Sequence, residues 1–226
     1  MTVIALTSGM GTGVKYVAEQ VARRLGFDLV YREICPAGLE SVPVNPARKD
    51  SRWETGLAWL MAARHLDGLN ELEELYRLAQ RGNVLICGAT PLHFLGEVAN
   101  VTKIRVRTTM AVRVRRIMAC MGTDEPDLAL GKILHSDRRQ AEALKCMFGI
   151  NDFERPQLYD SVVDTGREPA ETCSMQIAKL AMRPIGTTAP APWTVFEKMI
   201  EQIRVARANQ NELTKGGYEE SLNRSS

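Results

Sequence analysis

The sequence predicts an α/β fold in which a mostly parallel sheet of five strands is covered by helices on both faces. Continuous apolar runs of strand length, such as Val84-Leu85-Ile86-Cys87, alternate along the chain with stretches whose apolar residues recur at helical spacing. Fully apolar strands are typical of parallel sheets that are buried on both sides, and helices between strands favour parallel connections. With 226 residues, 45% of them hydrophobic, the chain is long enough for one substantial core.

Glycines separate most of the predicted elements from one another. The first strand stops at Ser8-Gly9, and the first helix, in which apolar residues recur every three or four positions, closes at Gly26. Arg81-Gly82-Asn83 ends the third helix, and Gly88 bounds the central apolar strand. The predicted strands cover residues 2–7, 27–34, 84–87, 102–108 and 159–163. The predicted helices cover residues 14–25, 52–66, 69–80, 110–121, 126–147 and 168–181.

The fourth predicted strand differs from the others because one of its faces is basic. Lys103, Arg105 and Arg107 alternate with apolar residues along it. In a sheet that is covered on both faces, this pattern leaves two alternatives. Either the strand lies at an edge of the sheet, or acidic groups of a neighbouring helix pair with the three cations.

Composition divides the chain into four segments. Residues 1–185 form the α/β domain, and residues 186–192, rich in Gly, Thr, Ala and Pro, form a linker. Residues 193–213 form an amphipathic helix, and residues 214–226 form a polar, disordered tail. Because a linker precedes this helix, we expect the chain beyond residue 186 to be dispensable for the core.

Charge and cysteine content exclude several classes of function. The chain carries 29 basic and 27 acidic residues, and its net charge of +2 argues against nucleic-acid binding driven by bulk charge. Five cysteines without C-x-x-C spacing are typical of reduced thiols in a cytoplasmic protein, and three scattered histidines predict no zinc site. No run approaches the roughly 20 apolar residues that span a bilayer, and the chain opens with a strand instead of a signal peptide. We therefore expect a soluble cytoplasmic protein that binds no membrane.

Three glycines alternate with other residues where the first strand meets the first helix. Residues 8–15, Ser-Gly-Met-Gly-Thr-Gly-Val-Lys, are called the glycine loop below. Glycines allow successive backbone N–H groups to point at one centre, and a helix N-terminus adds positive potential. These properties suit a phosphate group better than a plain connecting turn. The predicted phosphate-binding residues are Gly9, Gly11, Thr12, Gly13, Val14 and Lys15.

The glycine loop departs from the nucleotide-binding motif G-x-x-x-x-G-K-[ST]. If Gly13 is the second glycine of the motif, Val14 stands at the lysine position. Lys15 then stands at the position of the hydroxyl group that binds magnesium. The pattern therefore favours an anion-binding loop over a complete catalytic loop.

Several segments, taken in order, resemble the cytidylate kinase-like family, whose members are relatives of bacterial cytidylate kinase with the P-loop nucleoside-monophosphate kinase fold. Members of this family often lack the standard lysine in the glycine loop, so Val14 fits the resemblance. The resemblance implies a three-layer α/β domain of the P-loop kinase type, with a helical lid and with helices at the acceptor site. The similar segments span about residues 2–182 and comprise Ile4–Ser8, Gly11–Gly13, Val17–Gly26, Asn83–Gly88, Ala111–Met118 and Gln157–Thr165.

The resemblance also implies an activity and the residues that support it. The activity is transfer of the terminal phosphate of ATP to a nucleoside monophosphate or similar acceptor, with magnesium bridging the phosphates. Arg113 and Arg116 share one face of the predicted lid helix and would, together with Lys15, supply positive charge to the transferring group. A solvated basic helix face is the alternative for the two arginines. Asp137-Arg138-Arg139 would be a second lid cluster, unless Arg138 pairs with Glu142 at i+4.

The chain departs from the family where the acceptor phosphate would be held. Relatives place an arginine after the glycine that ends the third strand, where this chain has Ala89. They place another arginine three residues after the lid aspartate, where this chain has Gln140. They carry an acidic residue at the end of the second strand, where this chain has Tyr31-Arg32-Glu33. The lost arginines predict ATP binding with slow or absent transfer to nucleoside monophosphates.

Two other functions stay open on the sequence. One is a non-catalytic nucleotide- or phosphate-sensing module, which would explain the missing lysine, hydroxyl group and arginines. The other is nucleic-acid binding through the basic stretch of residues 103–116, which the near-neutral charge of the chain disfavours.

Overall fold

A sheet of five parallel strands forms the centre of the protein, as the sequence predicts. The computed structural model describes residues 2–34, 51–98, 100–183 and 192–223, with the backbone alone for 192–193 and 213–223. The strands are β1 (Val3–Ser8), β2 (Asp28–Tyr31), β3 (Val84–Cys87), β4 (Val101–Arg107) and β5 (Ser161–Asp164). They lie in the order β2-β3-β1-β4-β5, and every pair of neighbours is parallel. Because β1 is central, the glycine loop begins at the middle of the sheet.

Helices follow the strands in the alternating order that the sequence predicts. One short helix, α4, is not predicted, because seven residues that include a proline are too few to show a helical period. Its sequence position directly after β3 makes it part of the site described below. The helices of the described residues are α1 (Val14–Leu25), α2 (Arg52–Ala62), α3 (Leu66–Arg81), α4 (Ala89–Leu95), α5 (Met110–Met121), α6 (Pro126–Phe148), α7 (Ala170–Ala181) and α8 (Pro192–Asn223).

Apolar side chains on both faces of the sheet form two separate layers of core. One layer joins β1 to α1 and α7 through fully buried residues that include Ile4, Val17 and Ile177. The other joins the opposite face of β1 to the remaining core helices, and it includes Val3 and Phe94. Side chains alternate between the two faces along a strand, so consecutive residues of β1 enter different layers. This arrangement is the three-layer α/β fold expected from the sequence.

The basic face of β4 is paired with acidic groups of β5 and of the segment before it, and not with those of a neighbouring helix as predicted. β4 lies inside the sheet, between β1 and β5, so the edge-strand alternative is wrong. Lys103 Nζ lies 3.6 Å from Asp160 Oδ1, and Arg107 Nε lies 3.7 Å from Asp164 Oδ2. Arg105 is buried and forms a salt bridge with Glu154 through two guanidinium nitrogens.

The last helix, α8, is part of the core. Phe196 and Ile203 are fully buried and belong to the same apolar layer as α3. This packing argues against the expectation that the chain beyond residue 186 is dispensable, because removing α8 would expose this layer. The helix also continues past the predicted end at residue 213, so residues 214–223, predicted as a disordered tail, have helical backbone. Once packing has fixed one part of a helix, each further residue adds a hydrogen bond at a small cost in free energy. The polar composition of residues 214–223 does not show this extension. The predicted linker lies outside the described residues, except for Pro192.

A buried carboxylate on α3 strengthens the contact with α8. Glu73 is 5% exposed, and three arginines bind it. Arg204 Nε lies 3.1 Å and Arg77 Nη2 lies 2.8 Å from Glu73 Oε1, while Arg207 Nη1 lies 2.9 Å from Oε2. Burial raises the pKa of Glu73, but the arginines outweigh it, and the pKa is below its ordinary value. Two of these arginines, Arg204 and Arg207, lie on α8, so loss of α8 would remove two of the ion pairs of Glu73.

Other expectations concern membranes, metals and thiols. Within the described part of the chain, no helix is both long and apolar enough to cross a membrane. The same residues contain no group of three or more histidine, cysteine or acidic side chains placed to hold a metal ion. The cysteines of known environment are free thiols, at positions 87, 120, 146 and 173.

Candidate functional site

The glycine loop connects the end of β1 to the start of α1. Gly11 and Gly13 have φ angles of +80° and +79°, in the left-handed region that glycine adopts without steric cost. A Cβ atom on Gly11 would lie only 2.9 Å from the carbonyl oxygen of Arg113 on α5. Glycine is therefore required here for the backbone conformation and for the close approach of α5.

Neighbouring side chains bind the carbonyl groups of the glycine loop. The Gly9 oxygen accepts a hydrogen bond of 2.9 Å from Thr12 Oγ1. The Met10 oxygen accepts one of 2.6 Å from Arg113 Nε, and the Thr12 oxygen accepts one of 2.8 Å from Arg116 Nη1. The conformation of the loop is thus fixed by bonds to its acceptor groups.

The donor groups of the same loop stay available. The backbone amides of Met10, Gly11 and Gly13 donate to no acceptor among the described residues. An amide without an acceptor inside the protein requires water or a ligand as its partner. The loop therefore offers a short series of N–H donors, which is what a phosphate group requires.

The N-terminus of α1 adds positive potential to these donors. Gly13 is the N-cap of α1, and the first turn contains no acidic side chain that would neutralise the helix dipole. Val14 is partly buried in this turn. Lys15 is exposed, and no ion-pair partner for its ammonium group is found among the described residues. The charge of Lys15 therefore adds to the potential of the turn.

The structure brings Arg113 and Arg116 of α5 to the glycine loop, where both are engaged by protein groups. Besides Met10, Arg113 binds both carboxylate oxygens of Asp137 on α6, each at 2.7 Å. Arg116 binds the Thr165 hydroxyl and carbonyl oxygens, each at 3.0 Å, in addition to the loop. A solvated basic face is therefore the wrong interpretation of these two arginines. Their side chains link the loop to α6 and to the segment after β5.

A cavity of about 810 Å³ opens beside the glycine loop. Ser8 and Met10 of the loop form one side of it, and α6 forms the largest wall. Its volume lies within the range of small-molecule binding sites. Besides Ser8, the polar residues of its lining are Glu33, Thr90, Asp127, Lys132, His135, Ser136, Arg139 and Gln140.

Glu33, which follows β2, lines the cavity together with Ala89 and Thr90 at the start of α4. Its carboxylate accepts hydrogen bonds from the Ala89 amide at 2.6 Å, the Thr90 amide at 3.3 Å and the Thr90 hydroxyl at 3.0 Å. These are the first residues of α4, so Glu33 occupies the donors at the start of this helix. Burial raises the pKa of the Glu33 carboxyl above its ordinary value, although the three hydrogen bonds lower it.

The family of this protein follows from a sequence match along most of the chain. The family model described as cytidylate kinase-like matches residues 3–167, which include all five strands, the glycine loop and α6. The chain belongs to the cytidylate kinase-like family. The fold predicted by this resemblance, and the resemblance itself, are confirmed.

A solved structure of low sequence identity shares the fold of this cytidylate kinase-like chain. An uncharacterized protein from Eubacterium ventriosum superimposes with a TM-score of 0.62 at 16% identity, over 79% of this chain and 96% of that one. A shikimate kinase from Acinetobacter baumannii in complex with shikimate gives 0.42 at 13% identity, over 80% and 92% of the two chains. A gluconokinase from Sinorhizobium meliloti gives 0.41 at 15% identity, over 90% and 96%. No curated protein matches the chain significantly.

Two positions where this cytidylate kinase-like chain lacks the arginine of its relatives have other partners. Gln140 donates from Nε2 to the Ser8 carbonyl oxygen at 3.2 Å, so it ties α6 to the glycine loop. The Ala89 amide is bound by Glu33. Sequence reasoning missed Glu33, Lys132 and His135 as site residues. The spacing of Lys132, His135 and Arg139 on one helical face was the available signal.

The glycine loop lacks the side chain that binds magnesium in the complete nucleotide-binding motif. The loop position that supplies a hydroxyl ligand in the complete motif holds Lys15, which cannot bind a cation. Magnesium in nucleotide sites needs few protein ligands, because substrate phosphates and water supply most of its coordination. The loop therefore offers backbone amides, and Lys15 offers no ligand for a metal ion.

Proposed function

We propose that this protein is a phosphotransferase that moves the terminal phosphate of ATP to a nucleoside monophosphate or a similar small acceptor. The observation that carries the proposal is that Ser8 and Met10 belong both to the glycine loop and to the wall of the cavity. A phosphate group bound by the loop would therefore lie next to a molecule in the cavity. Phosphoryl transfer depends mainly on such positioning and on electrostatic stabilisation.

The donor side of the proposed site is the glycine loop. The free backbone amides of Met10, Gly11 and Gly13 would bind the ATP phosphates, and the start of α1 would add its dipole. Lys15 would contribute charge from the same turn. Arg113 and Arg116 would stabilise charge on the transferring group, for which Arg113 must exchange part of its contact with Asp137 for a phosphate oxygen.

The acceptor side of the proposed site is the cavity. Its lining favours a faster rate of phosphoryl transfer than the sequence alone predicts. The sequence alone predicts slow or absent transfer because Ala89 and Gln140 replace arginines of the relatives. Lys132 and Arg139 line the cavity and supply two cations from α6 instead. We therefore propose that transfer is retained, with the acceptor held from the α6 side.

A coupled assay that follows ADP formation tests the proposal. The protein, ATP and magnesium are incubated with CMP, dCMP, UMP or AMP in turn. We expect turnover with at least one acceptor on the order of 1 to 100 per second, the usual range for kinases. Absence of acceptor-dependent ADP formation with all four would contradict nucleoside-monophosphate transfer.

One observation favours the second candidate, a nucleotide- or phosphate-sensing module. Both predicted catalytic arginines are already bound to protein groups, as they would be if their role were to shape the loop. ATP binding measured by titration, without turnover in the coupled assay, would support this candidate. The free thiols of the described residues favour a cytoplasmic location for either function.

A further inference from the structure

The ion pair between Arg113 of α5 and Asp137 of α6 lies directly against the glycine loop. A Cβ atom on Gly9 would lie 2.7 Å from Arg113 Nη2 and 3.1 Å from Asp137 Oδ1. Gly9, unlike Gly11 and Gly13, has no positive φ angle. The close packing of the ion pair, and not the backbone conformation, therefore leaves room only for a glycine at position 9 unless the pair moves.

Asp137 binds the edge of the Arg113 guanidinium group that a phosphate would use. Nη1 and Nη2 each donate to one carboxylate oxygen at 2.7 Å, and Nε donates to the Met10 carbonyl oxygen at 2.6 Å. Arginine binds anions most strongly through two parallel N–H bonds, for which it has two edges, Nη1–Nη2 and Nε–Nη2. Both edges are engaged here. A phosphate can therefore gain a two-bond contact with Arg113 only by displacing Asp137 or the loop carbonyl group.

Of these two groups, Asp137 is the one that a phosphate displaces at lower cost. Its side chain is 25% exposed, so water can solvate the carboxylate when it leaves Arg113. The Met10 carbonyl group belongs to the loop itself, and its release would disturb the amides that bind the phosphate. A phosphate on these amides would also lie close to the Asp137 carboxylate, and two negative charges at short range repel each other strongly.

The ion pair also lies at the border between two cavities. Ser136 and Gln140, on either side of Asp137 in the sequence, line the cavity of about 810 Å³. Arg113 lines a second cavity of about 370 Å³, together with Gly9 of the loop. Because the pair joins the walls of the two cavities, its opening would connect them beside the glycine loop.

We infer that the Arg113–Asp137 ion pair is an autoinhibitory contact, in which the Asp137 carboxylate holds the arginine until a phosphate of ATP displaces it. This inference rests on the donor side of the proposed function, in which the glycine loop binds ATP. ATP then binds at the cost of the ion pair, so removal of the carboxylate should strengthen binding. The opposite role, in which Asp137 positions Arg113 for the phosphate, predicts weaker binding.

Calorimetric titration with ATP and magnesium distinguishes the two roles. Asp137→Asn keeps the size of the side chain and removes its charge, and we expect it to bind ATP about tenfold more tightly than the wild type. Glu142→Gln is the matched control, because Glu142 lies on the same helix and forms an ion pair with the exposed Arg138 at 2.8 Å. It removes the same charge from α6 away from the loop, so ATP affinity should change by less than about twofold.

Thermal unfolding provides a second measurement, which a purely structural role of Asp137 would not reproduce. The ion pair is closed without ligand and open with it, so Asp137→Asn should lower the melting temperature only in the absence of ATP. At saturating ATP the variant should match the wild type, which has then lost the same ion pair. By linkage, the gain in affinity for ATP equals the stability that the free variant loses.

The outcomes separate this inference from the proposed function. Unchanged or weaker ATP binding by Asp137→Asn overturns the inference, as does an equal gain in affinity in Glu142→Gln. A deficit in melting temperature that persists at saturating ATP also overturns it, and so does the absence of ATP binding in both the wild type and Asp137→Asn. If Asp137→Asn binds ATP more weakly and the wild type transfers phosphate in the coupled assay, the proposed function stands alone. If Asp137→Asn binds ATP more tightly and no acceptor is phosphorylated, the proposed function fails and the autoinhibitory contact stands.

Discussion

The backbone conformation of the glycine loop depends on single residues. Gly13 has a positive φ, and a Cβ atom there would lie 3.1 Å from Arg116 Nη1, the atom that binds the Thr12 carbonyl. A side chain at this position would therefore disturb the backbone and its arginine contact together. Gly26, at the other end of α1, has a similar φ of +66° but no atom within 4 Å of its Cβ position. Substitution of either glycine strains the backbone, but only substitution of Gly13 also disturbs the site. Comparing the two variants therefore distinguishes the two effects.

The variant Gly13→Val should lose ATP binding while the fold survives. Strain at a positive φ costs on the order of 1 kcal/mol, which a domain of this size tolerates. Gly26→Val should lose similar stability and keep its affinity for ATP. Calorimetric titration gives the affinity and thermal unfolding gives the stability. A folded Gly13→Val protein with unchanged ATP affinity would show that the loop is only a connector.

Protonation of His93 should make the protein less stable in mild acid. Burial, together with the nearby cations Arg52, Arg105 and Lys103, lowers the pKa of His93 to about 3, from 6.5. In the unfolded chain the ring takes up a proton below about pH 6.5, but in the folded protein it does not until about pH 3, so stability falls as the pH drops through this window. We expect the free energy of unfolding to fall by about 2 kcal/mol between pH 7 and pH 5 from this group alone.

The variant His93→Phe isolates this contribution. The ring of His93 lies 5.5 Å from that of Phe148, so an aromatic replacement keeps the contact and removes the titrating group. Urea unfolding at pH 7 and pH 5 should show a smaller loss of stability in the variant than in the wild type. An equal loss in both proteins would show that other groups cause the acid sensitivity.

At the scale of elements, α5 holds the glycine loop against the segment that follows β5. Arg116 is the bridge, because one of its nitrogens binds the Thr12 carbonyl oxygen and the other binds the Thr165 carbonyl oxygen. Arg115 is its neighbour on the same helix and is exposed. The two arginines add the same charge to α5, but only one of them supports the loop.

The variant Arg116→Met should weaken ATP binding about tenfold or more. Each hydrogen bond from a charged group contributes roughly 1.5 to 3 kcal/mol, and the variant would lose the bonds that join the Thr12 carbonyl of the loop to the Thr165 carbonyl. Arg115→Met is the control for loss of charge on α5. Titration with ATP compares the two variants. Equal affinities would mean that the arginine acts through charge alone and that the bridge is unimportant.

At the scale of the whole molecule, α8 closes the apolar layer over α3. Phe196 is fully buried in this layer, whereas Val205, on the same helix, is 52% exposed. The contact is reinforced by the arginines that bind Glu73. The helix therefore belongs to the folding unit, and its loss should be felt in global stability.

Truncation of one side chain of α8 should lower the melting temperature of the full chain. Phe196→Ala removes a buried ring, which costs about 3 to 5 kcal/mol, or roughly 10 °C for a domain of this size. Val205→Ala should change stability by less than about 0.5 kcal/mol, because its side chain is largely exposed. Thermal unfolding compares the melting temperatures of the two variants with that of the wild type. A Phe196→Ala protein as stable as the control would show that α8 contributes nothing to the core.

The sequence predicts the central parts of this molecule better than its periphery, for a physical reason. Local patterns predict the apolar strand β1, the glycine turn after it and the amphipathic helix α1. The structure confirms these three elements. Glu33 has no local signal, because its partners on α4 are more than fifty residues away in the chain. The docking of α8 was missed for a similar reason. Its apolar stripe is visible in the sequence, but the surface that receives it is formed by α3.

Helix α6 contacts both halves of the site, and this has a thermodynamic consequence. It binds Arg113 through Asp137 and the loop through Gln140, and it also presents Arg139 to the cavity. A shift of α6 that improves its fit to one ligand changes its contacts with the other. Binding of ATP and of the acceptor should therefore be cooperative. Reciprocity then requires that each ligand changes the dissociation constant of the other by the same factor.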